Sequence, residues 1–240
     1  MFSRRPGRDW PTSVLTTTAE ILRTVTPTTL SALVLIENGT ATTQTAIADA
    51  IDRHQSTVSS HFQSLTLDTA DISLIERSNH SYTLTDTGSE ILDCVVATLE
   101  ELGLDLETID WESAADKEQI GNCLAPLYGS RSIEPFFILN SLAARSGPGG
   151  LHSDPQTINV DKVNRDVKTR LEETDTTPSN HQIKQIIDRF ADQSALKCDD
   201  DHLILTEKGQ QHAHLLQQVM AVVEDRIEID QNGSSAATDS

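Results

Sequence analysis

Aromatic residues, lysines and long apolar runs are all scarce in this chain of 240 residues. Aromatic side chains make up only 4% of the sequence, so any core must be built mainly from Leu, Ile, Val and Ala. No run approaches the roughly 18 consecutive apolar residues that a transmembrane helix needs. The segment MFSRRPGRDW is positively charged but has no apolar stretch behind it, so we expect no secretory signal and no membrane partner.

Cysteine is also rare. Cys94, Cys123 and Cys198 are widely spaced and odd in number. This pattern fits a reducing compartment better than a disulfide framework. Together with the missing apolar runs, it predicts a cytoplasmic protein.

Signatures of catalysis and of cofactor binding are missing as well. The sequence contains no glycine-rich phosphate loop with a lysine and no Gly-x-Ser-x-Gly elbow. The acidic residues do not pair in a pattern that indicates acid–base chemistry. One group, Cys198, His202, His212 and His214, offers zinc-binding side chains, but its spacing is not that of a known finger. We therefore expect no enzyme, no cofactor and no metal site.

Negative charge dominates the composition. Asp and Glu number 37 against 18 Lys and Arg, which gives a formal net charge of −19. This balance is unusual for a DNA-binding protein, because the phosphate backbone attracts basic surfaces. One interpretation is that the protein binds other proteins instead of DNA. The other, which we favour, is adaptation to molar salt, where the Debye length is only about 3 Å. The Asp-rich, Thr-rich and Lys-poor composition resembles that of cytoplasmic proteins from halophilic archaea.

The most informative stretch covers residues 43–88. Its first part, TQTAIADAIDRHQSTVSSHFQSL, predicts two short helices with a turn between them. In the second helix, Val58, Phe62 and Leu65 recur at i, i+4 and i+7 and predict one buried stripe. Its other positions carry short hydrogen-bonding side chains: Ser56, Thr57, Ser59, Ser60, His61 and Gln63. Such side chains can contact base edges and phosphates in a major groove.

A β-hairpin is predicted directly after this helix pair. Two strand-like runs, residues 72–77 and 81–85, flank a polar turn of Ser, Asn and His. Thr85 is then expected to cap a long helix that begins at Asp86.

Helix, turn, helix, hairpin and helix in this order resemble the winged-helix family of DNA-binding domains, in particular the MarR-type transcription regulators of prokaryotes. The resemblance rests on TAIADAIDRHQSTVSSHFQSL and on YTLTDTGSEIL, where a strand leads into Leu-Thr-x-x-Gly, and it covers roughly residues 27–102. It implies that the second helix of the pair reads the major groove and that the wing contacts the backbone or minor groove. By this resemblance the DNA-contacting residues are Arg53, Ser56, Thr57, Ser59, Ser60, His61, Gln63, Arg77, Asn79 and His80.

The second half of the chain weakly repeats the first. The segment LILTEKG matches YTLTDTG, because Thr206 lies 121 residues after Thr85 and Gly209 lies 121 residues after Gly88. A strand-to-helix junction that occurs twice in this way predicts a tandem architecture.

The second copy departs from the first in its predicted helices and wing. Its helix pair is expected over residues 160–173 and 179–193, with a wing over residues 195–206. The wing tip, Asp199–Asp201, would repel phosphate, which argues against DNA contact by this wing. The second helix is better equipped, and its candidate DNA contacts are Asn180, His181, Lys184 and Arg189.

These patterns predict a mainly α protein with small β-hairpin wings, in which tandem winged helix-turn-helix domains are joined by a helical connector. The expected order is an N-terminal basic arm and helix (1–26), a first winged helix-turn-helix domain (27–102), an acidic connector (103–130), a second winged-helix-like domain (131–228) and a disordered tail (229–240). Residues 1–9 are either a disordered segment or an arm that reaches a minor groove. In the connector, a short helix is expected over residues 117–128 and should stop near Pro126.

The helix expected over residues 86–102 carries more apolar surface than one small domain needs. Its stripe consists of Ile91, Leu92, Val95, Val96, Leu99 and Leu102. This surface packs either on the first helices of its own domain or on a second copy of the chain. Because winged-helix regulators commonly read two half-sites, we expect a homodimer.

Two functions of different classes remain. The leading one is a DNA-binding transcriptional regulator whose partner is double-stranded DNA. The alternative is a tandem winged-helix module for protein–protein interaction, like the scaffolds of chromosome-segregation complexes, which does not bind DNA. An interaction module would tend to carry acids or large apolar residues on the second helix of the pair. Residues 56–63 contain no acid, which favours DNA.

Overall fold

The computed structural model describes residues 10–67, 72–106, 108–111, 113–128, 133–143, 158–172 and 178–236. Over these residues the protein is mainly helical and carries small antiparallel hairpins, as the sequence predicted. The helices are α1 (Thr12–Thr24), α2 (Pro27–Glu37), α3 (Gln44–Ala50), α4 (Gln55–Ser64), α5 (Asp86–Glu101), α6 (Ala114–Tyr128), α7 (Glu134–Ala143), α8 (Val160–Glu172), α9 (Asn180–Asp192) and α10 (Glu207–Ala236). The strands are β1 (Thr66–Leu67), β2 (Ile72–Ser73), β3 (Ile75–Ser78), β4 (Ser81–Leu84), β5 (Ile158–Asn159), β6 (Leu196–Asp199) and β7 (His202–Leu205).

Short polar residues start several of these helices. The Thr26 side chain accepts a hydrogen bond from the Thr29 amide at the start of α2, where Pro27 occupies the first helical position. Ser179 caps α9 with a capping box: its hydroxyl accepts a hydrogen bond from the Gln182 amide, and its own amide donates to the side-chain oxygen of Gln182. Four helices also end by a local device, because a residue with positive φ follows each of them and reverses the chain. These helices are α2, α3, α5 and α9, and the residues are Gly39, Asp52, Gly103 and Ser194.

The junction between the first hairpin and α5 depends on Thr85 and Gly88. The Thr85 hydroxyl accepts a hydrogen bond from the Gly88 amide (2.9 Å) and donates one to the Ser73 carbonyl (2.6 Å). One side chain therefore ties the start of the helix to the preceding strand. Glycine is required at position 88, because a Cβ there would lie 2.0 Å from the carbonyl oxygen of Leu74.

The same junction recurs before α10. The Thr206 hydroxyl accepts from the Gly209 amide (3.1 Å) and donates to the Ser194 carbonyl (2.6 Å). A Cβ on Gly209 would lie 2.0 Å from the carbonyl oxygen of Ala195. Each of these residues lies 121 positions after its counterpart, so the spacing seen in the sequence is also a spacing of hydrogen bonds.

The strands differ from the expected pattern in two places. The first strand, expected to be continuous over residues 72–77, is divided at Leu74 into β2 and β3. The Leu74 amide donates to the Leu65 carbonyl (3.0 Å) and its carbonyl accepts from Thr85 (3.1 Å), so its backbone joins α4 to α5. Strand β5 was not predicted from the sequence. It pairs with β7 and makes a three-stranded sheet in the order β5-β7-β6. In the first half, Thr43 and Ser81 form a single β-bridge at the corresponding place.

Two helices are longer than predicted. α6 begins at Ala114, before the predicted start at residue 117, and ends at the predicted residue 128; Pro126 lies inside it, although we expected the helix to stop near that proline. The proline cannot donate to the Asn122 carbonyl, and the Lys208 ammonium group takes that place (3.1 Å). α10 reaches Ala236 and so includes part of the tail that we expected to be disordered from residue 229. Adding residues to the end of an existing helix is favourable because the cost of nucleation has already been met. Residues 1–9, which include the predicted basic arm, residues 144–157 and residues 237–240 lie outside the described residues.

The apolar stripe of α5 is covered from within the chain. α5 and α10 make the most extensive contact between any two elements of the described structure, and α1 and α7 also pack on α10. Val95 and Leu99 of α5 are 1% and 0% exposed, and Leu216 and Val219 of α10 are fully buried. We expected this stripe to pack either on its own domain or on a second copy of the chain. Neither alternative included packing on a helix from the other half of the same chain.

The first two helices lie in the same core. α1 and α2 meet at a bend of 88°, and by length and composition only the pair is compatible with a bent membrane span. Among the described residues, no single helix is both long enough and apolar enough to cross a membrane.

Candidate nucleic-acid interface

Helix α4 separates polar from apolar side chains as its periodicity predicted. Val58, Phe62 and Leu65 are buried against the core. The opposite side carries Ser56, Ser60 and Gln63, which are exposed, and Thr57, Ser59 and His61, which are partly exposed. The exposed side therefore offers hydroxyl, amide and imidazole groups and no carboxylate.

Arg53 lies in the turn that leads into α4. The turn is made by Asp52, whose φ of +53° lets the chain reverse after α3, and it is closed by a hydrogen bond from the Arg53 amide to the Ala48 carbonyl (2.9 Å). The Arg53 side chain is exposed and donates to the Asp52 carbonyl (3.2 Å). This arrangement places a cation beside the N-terminus of α4.

The relative position of α3 and α4 is held by two glutamines that were not among the predicted site residues. Gln44 donates to the Gln55 carbonyl (2.8 Å), and the Gln55 amide group donates to the Thr45 hydroxyl. Both glutamines occupy the first position of a helix, which is the signal that would have identified them. They position the exposed face of α4 and are less available to contact a ligand themselves.

His61 is less free than its neighbours on α4. Its Nδ1 lies 3.3 Å from the Thr29 hydroxyl, and the side chain is partly buried. Burial lowers the pKa of His61, and the positive charge of Arg53 lowers it further. The imidazole is therefore neutral near pH 7 and contacts α2, which differs from the fully outward orientation that we expected.

The first wing is a tight hairpin. Asn79 and His80 both have positive φ (47° and 71°) and connect the paired residues Ser78 and Ser81. Two central residues with positive φ are typical of a type I′ turn, whose twist matches that of the strands. The side chains of Asn79 and His80 are exposed at its tip, and Arg77 Nη2 lies 3.4 Å from His80 Nδ1.

A row of three side chains connects this wing to α4. The Phe62 and Tyr82 rings lie 4.6 Å apart between centroids at an interplanar angle of 67°, an edge-to-face contact. The Arg77 guanidinium lies 5.7 Å from the centroid of the Tyr82 ring, on the paired strand. Phe62 is buried and Arg77 is exposed, so the row leads from the core to the solvent-facing cation. Tyr82 was not among the predicted site residues.

The second half presents a different set of groups on α9. His181 and Lys184 are exposed. Asn180 is also exposed, but its side-chain oxygen accepts a hydrogen bond from Lys168 of α8 (2.5 Å). Arg189 is partly buried beside the Phe190 ring, and its Nε and Nη2 have no hydrogen-bond partner among the described residues. Burial lowers the pKa of Arg189. Of the four predicted contacts in this half, Arg189 is thus the least accessible.

The second wing ends in carboxylates. β6 and β7 pair from Leu196 with Leu205 to Asp199 with His202, which leaves Asp200 and Asp201 in the turn. All three aspartates are exposed, and the Asp201 carbonyl accepts a hydrogen bond from the Val160 amide at the start of α8 (2.9 Å). The tip carries negative charge where the first wing carries Arg77 and His80.

The histidine and cysteine group considered for zinc does not come together. His212 is fully buried, and its two ring nitrogens lie 2.7 Å from the carbonyl oxygens of Lys208 and Cys123. Cys198 and His202 are exposed on the second wing. In the described part of the chain, no group of three or more potential metal ligands is found.

Comparisons with protein-family models, with curated proteins and with solved structures gave no match to this chain. The resemblance to winged-helix regulators therefore stays a prediction. It is supported by the order of the elements, by the exposed face of α4 and by the two Thr-x-x-Gly junctions.

Proposed function

We propose that the chain is a DNA-binding transcriptional regulator with two tandem winged helix-turn-helix units, similar to the MarR type, and that its first unit reads double-stranded DNA. The observation that carries this proposal is the row formed by Phe62, Tyr82 and Arg77. Through it, packed side chains join the acid-free polar face of α4 to an exposed arginine on the wing. A surface of this kind matches a duplex, which offers base edges in a groove and phosphates on either side.

The two kinds of side chain have separate tasks in this proposal. Ser56, Ser60 and Gln63 of α4 are short enough to let the helix approach base edges in the major groove. Arg53 and Arg77 are exposed at the start of that helix and on the wing, where they contact phosphates. The phosphate contacts set affinity and orientation, whereas the α4 side chains set sequence preference.

The second unit contributes through α9 and not through its wing. Lys184 and His181 are exposed on α9 and supply hydrogen-bond donors. The aspartates at the tip of the second wing would repel any phosphate in direct contact with them, so this wing makes no contact with the duplex.

The net charge of −19 is reconciled with DNA binding by a high working salt concentration. At molar salt the screening length is about 3 Å, so only charges in direct contact with DNA influence binding. Arg53 and Arg77 are such charges, whereas most of the 37 acidic residues act only at longer range.

A binding titration with a matched pair of variants tests the proposal. The parent protein, Arg77→Ala and Arg23→Ala are titrated with a duplex selected from a random library and with an unselected duplex, at molar and at 0.1 M KCl. Both variants lose one positive charge, but only Arg77 lies on the proposed surface. We expect Arg77→Ala to weaken binding to both duplexes about equally and to reduce the salt dependence of binding, because a phosphate contact carries no sequence information.

Arg23→Ala, on α1, should bind as the parent does. Equal binding by a folded Arg77→Ala protein would show that this wing is not the DNA surface.

The acidic tip of the second wing favours the alternative function, a scaffold that binds other proteins. A folded parent protein that binds neither duplex at either salt concentration would support that alternative.

A further inference from the structure

The two halves of the chain contact each other through equivalent helices. α5 and α10 each follow a Thr-x-x-Gly junction, and the junctions are 121 residues apart. These two helices make the most extensive contact in the described structure. An element that packs on its own counterpart is typical of the contact between two copies of one protein.

The remaining contacts between the halves occur in reciprocal pairs. α1 precedes α2 as α6 precedes α7, so α1 corresponds to α6 and α2 to α7. α1 contacts α10 while α6 contacts α5, and α1 contacts α7 while α6 contacts α2. α1 and α6 also contact each other. In an isologous interface, each contact between unlike elements must occur twice, once in each direction. The halves of this chain meet that condition.

A small cavity lies where α1, α5, α6 and α10 meet. Its lining consists of Leu22 of α1 and Val25 directly after it, Leu124 and Leu127 of α6, Val95 of α5 and Leu215 of α10. Each pair of corresponding helices thus contributes from both members. All six side chains are at most 5% exposed, so this meeting point is a core and not a loose contact between domains.

We infer that the chain is an internal dimer, in which one copy supplies both reading helices and binds, as a monomer, a DNA site made of two unlike halves. This inference rests on the proposed function and adds the form of the target to it. The apolar stripe that would join two copies is already covered, because Val95 and Leu99 of α5 are buried under α10. The single chain therefore takes the place of the homodimer that the sequence led us to expect.

The two reading helices differ, which makes the target asymmetric. α4 presents Ser56, Ser60 and Gln63, whereas α9 presents His181 and Lys184. A symmetric dimer reads a palindrome because its two helices are identical. Two different helices on one chain read two different sequences.

Sedimentation equilibrium of the full chain tests the internal dimer first. In molar KCl and without DNA, we expect one species with the mass of a single chain, 26.3 kDa. With a duplex selected by the parent protein from a random library, we expect one chain per duplex and a site without twofold sequence symmetry. A free species of twice the chain mass, two chains per duplex, or a palindromic site would each overturn the inference.

Two variants assign the halves of the site. Ser60→Ala should relax the sequence preference in one half of the site only, which base substitutions along the duplex measure. Lys184→Ala should remove contacts in the other half only, which phosphate footprinting measures. Effects of both variants on the same half would contradict the inference. Failure to enrich any duplex would overturn the proposed function and the bipartite target together, and the mass of the free chain would then decide the internal dimer alone. Circular dichroism melting confirms that each variant is folded.

Discussion

The rings of Phe62 and Tyr82 lie edge to face, 4.6 Å apart, and join the candidate reading helix to the wing. Phe62 belongs to the buried stripe of α4, and Tyr82 is 7% exposed on β4. The hairpin is also attached by the buried side chain of Ile75 and by backbone bonds, among them the one from the Tyr82 amide to the Thr42 carbonyl (2.7 Å). The aromatic pair is the link that joins the wing, and Arg77 with it, directly to α4.

Replacing Tyr82 should loosen the wing more than it destabilises the protein. In Tyr82→Leu an apolar side chain still fills the site, but the edge-to-face contact and the ring beside Arg77 are lost. An aromatic pair contributes about 0.5–1.5 kcal/mol beyond its burial, and we expect a loss of that order in the free energy of unfolding. DNA affinity should fall as well, because the wing is no longer held in place. Tyr82→Phe keeps the ring and should behave as the parent does. Equal DNA affinity of Tyr82→Leu and Tyr82→Phe in a filter-binding titration would contradict this view of the wing.

Glycine at the two Thr-x-x-Gly junctions should not tolerate substitution. In Gly88→Ala and in Gly209→Ala, the new Cβ would lie 2.0 Å from a backbone carbonyl oxygen, so backbone must move to admit it. Overpacking of this kind costs about 1–3 kcal/mol, and contacts this close fall at the upper end. Asp93→Ala, at an exposed position of the same α5 helix, serves as the control and should be nearly neutral. Chemical denaturation measures all three variants. A Gly88→Ala protein as stable as the control would mean that the close approach of strand and helix is not required.

The sequence revealed those features of the fold that depend on local rules. The recurrence of Val58, Phe62 and Leu65 predicted which side of α4 is buried, because a helix repeats every 3.6 residues. Thr85 was identified as a cap because its hydroxyl satisfies an amide three residues later. The exposed polar groups of α4 followed from the same periodicity.

Features that depend on contacts between distant segments were not visible in the sequence. The stripe of α5 indicated a partner but not its identity, since apolar surface is not specific for one partner. The course of α6 through Pro126 depends on Lys208, which lies 82 residues further along the chain and takes the carbonyl that the proline leaves free. The restricted orientation of His61 depends on Thr29 of α2, which no local pattern connects to α4.

Low salt should destabilise the protein if its charge reflects adaptation to high salt. Lowering KCl from molar concentration to 0.1 M lengthens the screening distance from about 3 Å to about 10 Å. Acidic side chains of a chain with net charge −19 then repel one another over the surface. We expect the melting temperature to fall as KCl is removed and the radius of gyration to increase. A circular dichroism signal and melting temperature that stay unchanged over this range would contradict the expectation and would favour the protein-binding alternative.

Lowering the pH from 8 should destabilise the fold through His212, which is fully buried between α10 and α6. Burial lowers the pKa of His212 to about 4 and outweighs the two backbone carbonyls at Cys123 and Lys208, which raise it; the Lys208 charge lowers it further. The ordinary pKa of 6.5 applies in the unfolded chain. Between these two values, the unfolded chain binds a proton that the folded chain does not. Stability is therefore fully present above pH 6.5 and is lost progressively as the pH falls towards 4.

The expected loss between pH 8 and pH 5.5 is about 1.4 kcal/mol, because one pKa unit corresponds to that free energy. His212→Gln lacks the titrating group and retains one amide donor for a carbonyl, so it should be less stable than the parent at pH 8 but should lose less stability on acidification. The carboxylates are common to both proteins, and their contribution cancels in the difference between the two pH profiles from chemical denaturation. A neutral imidazole can donate to only one of the two carbonyls, whereas an imidazolium donates to both. A parent protein that gains stability relative to His212→Gln as the pH falls would therefore show that His212 is held in its charged form, contrary to the pKa that burial imposes.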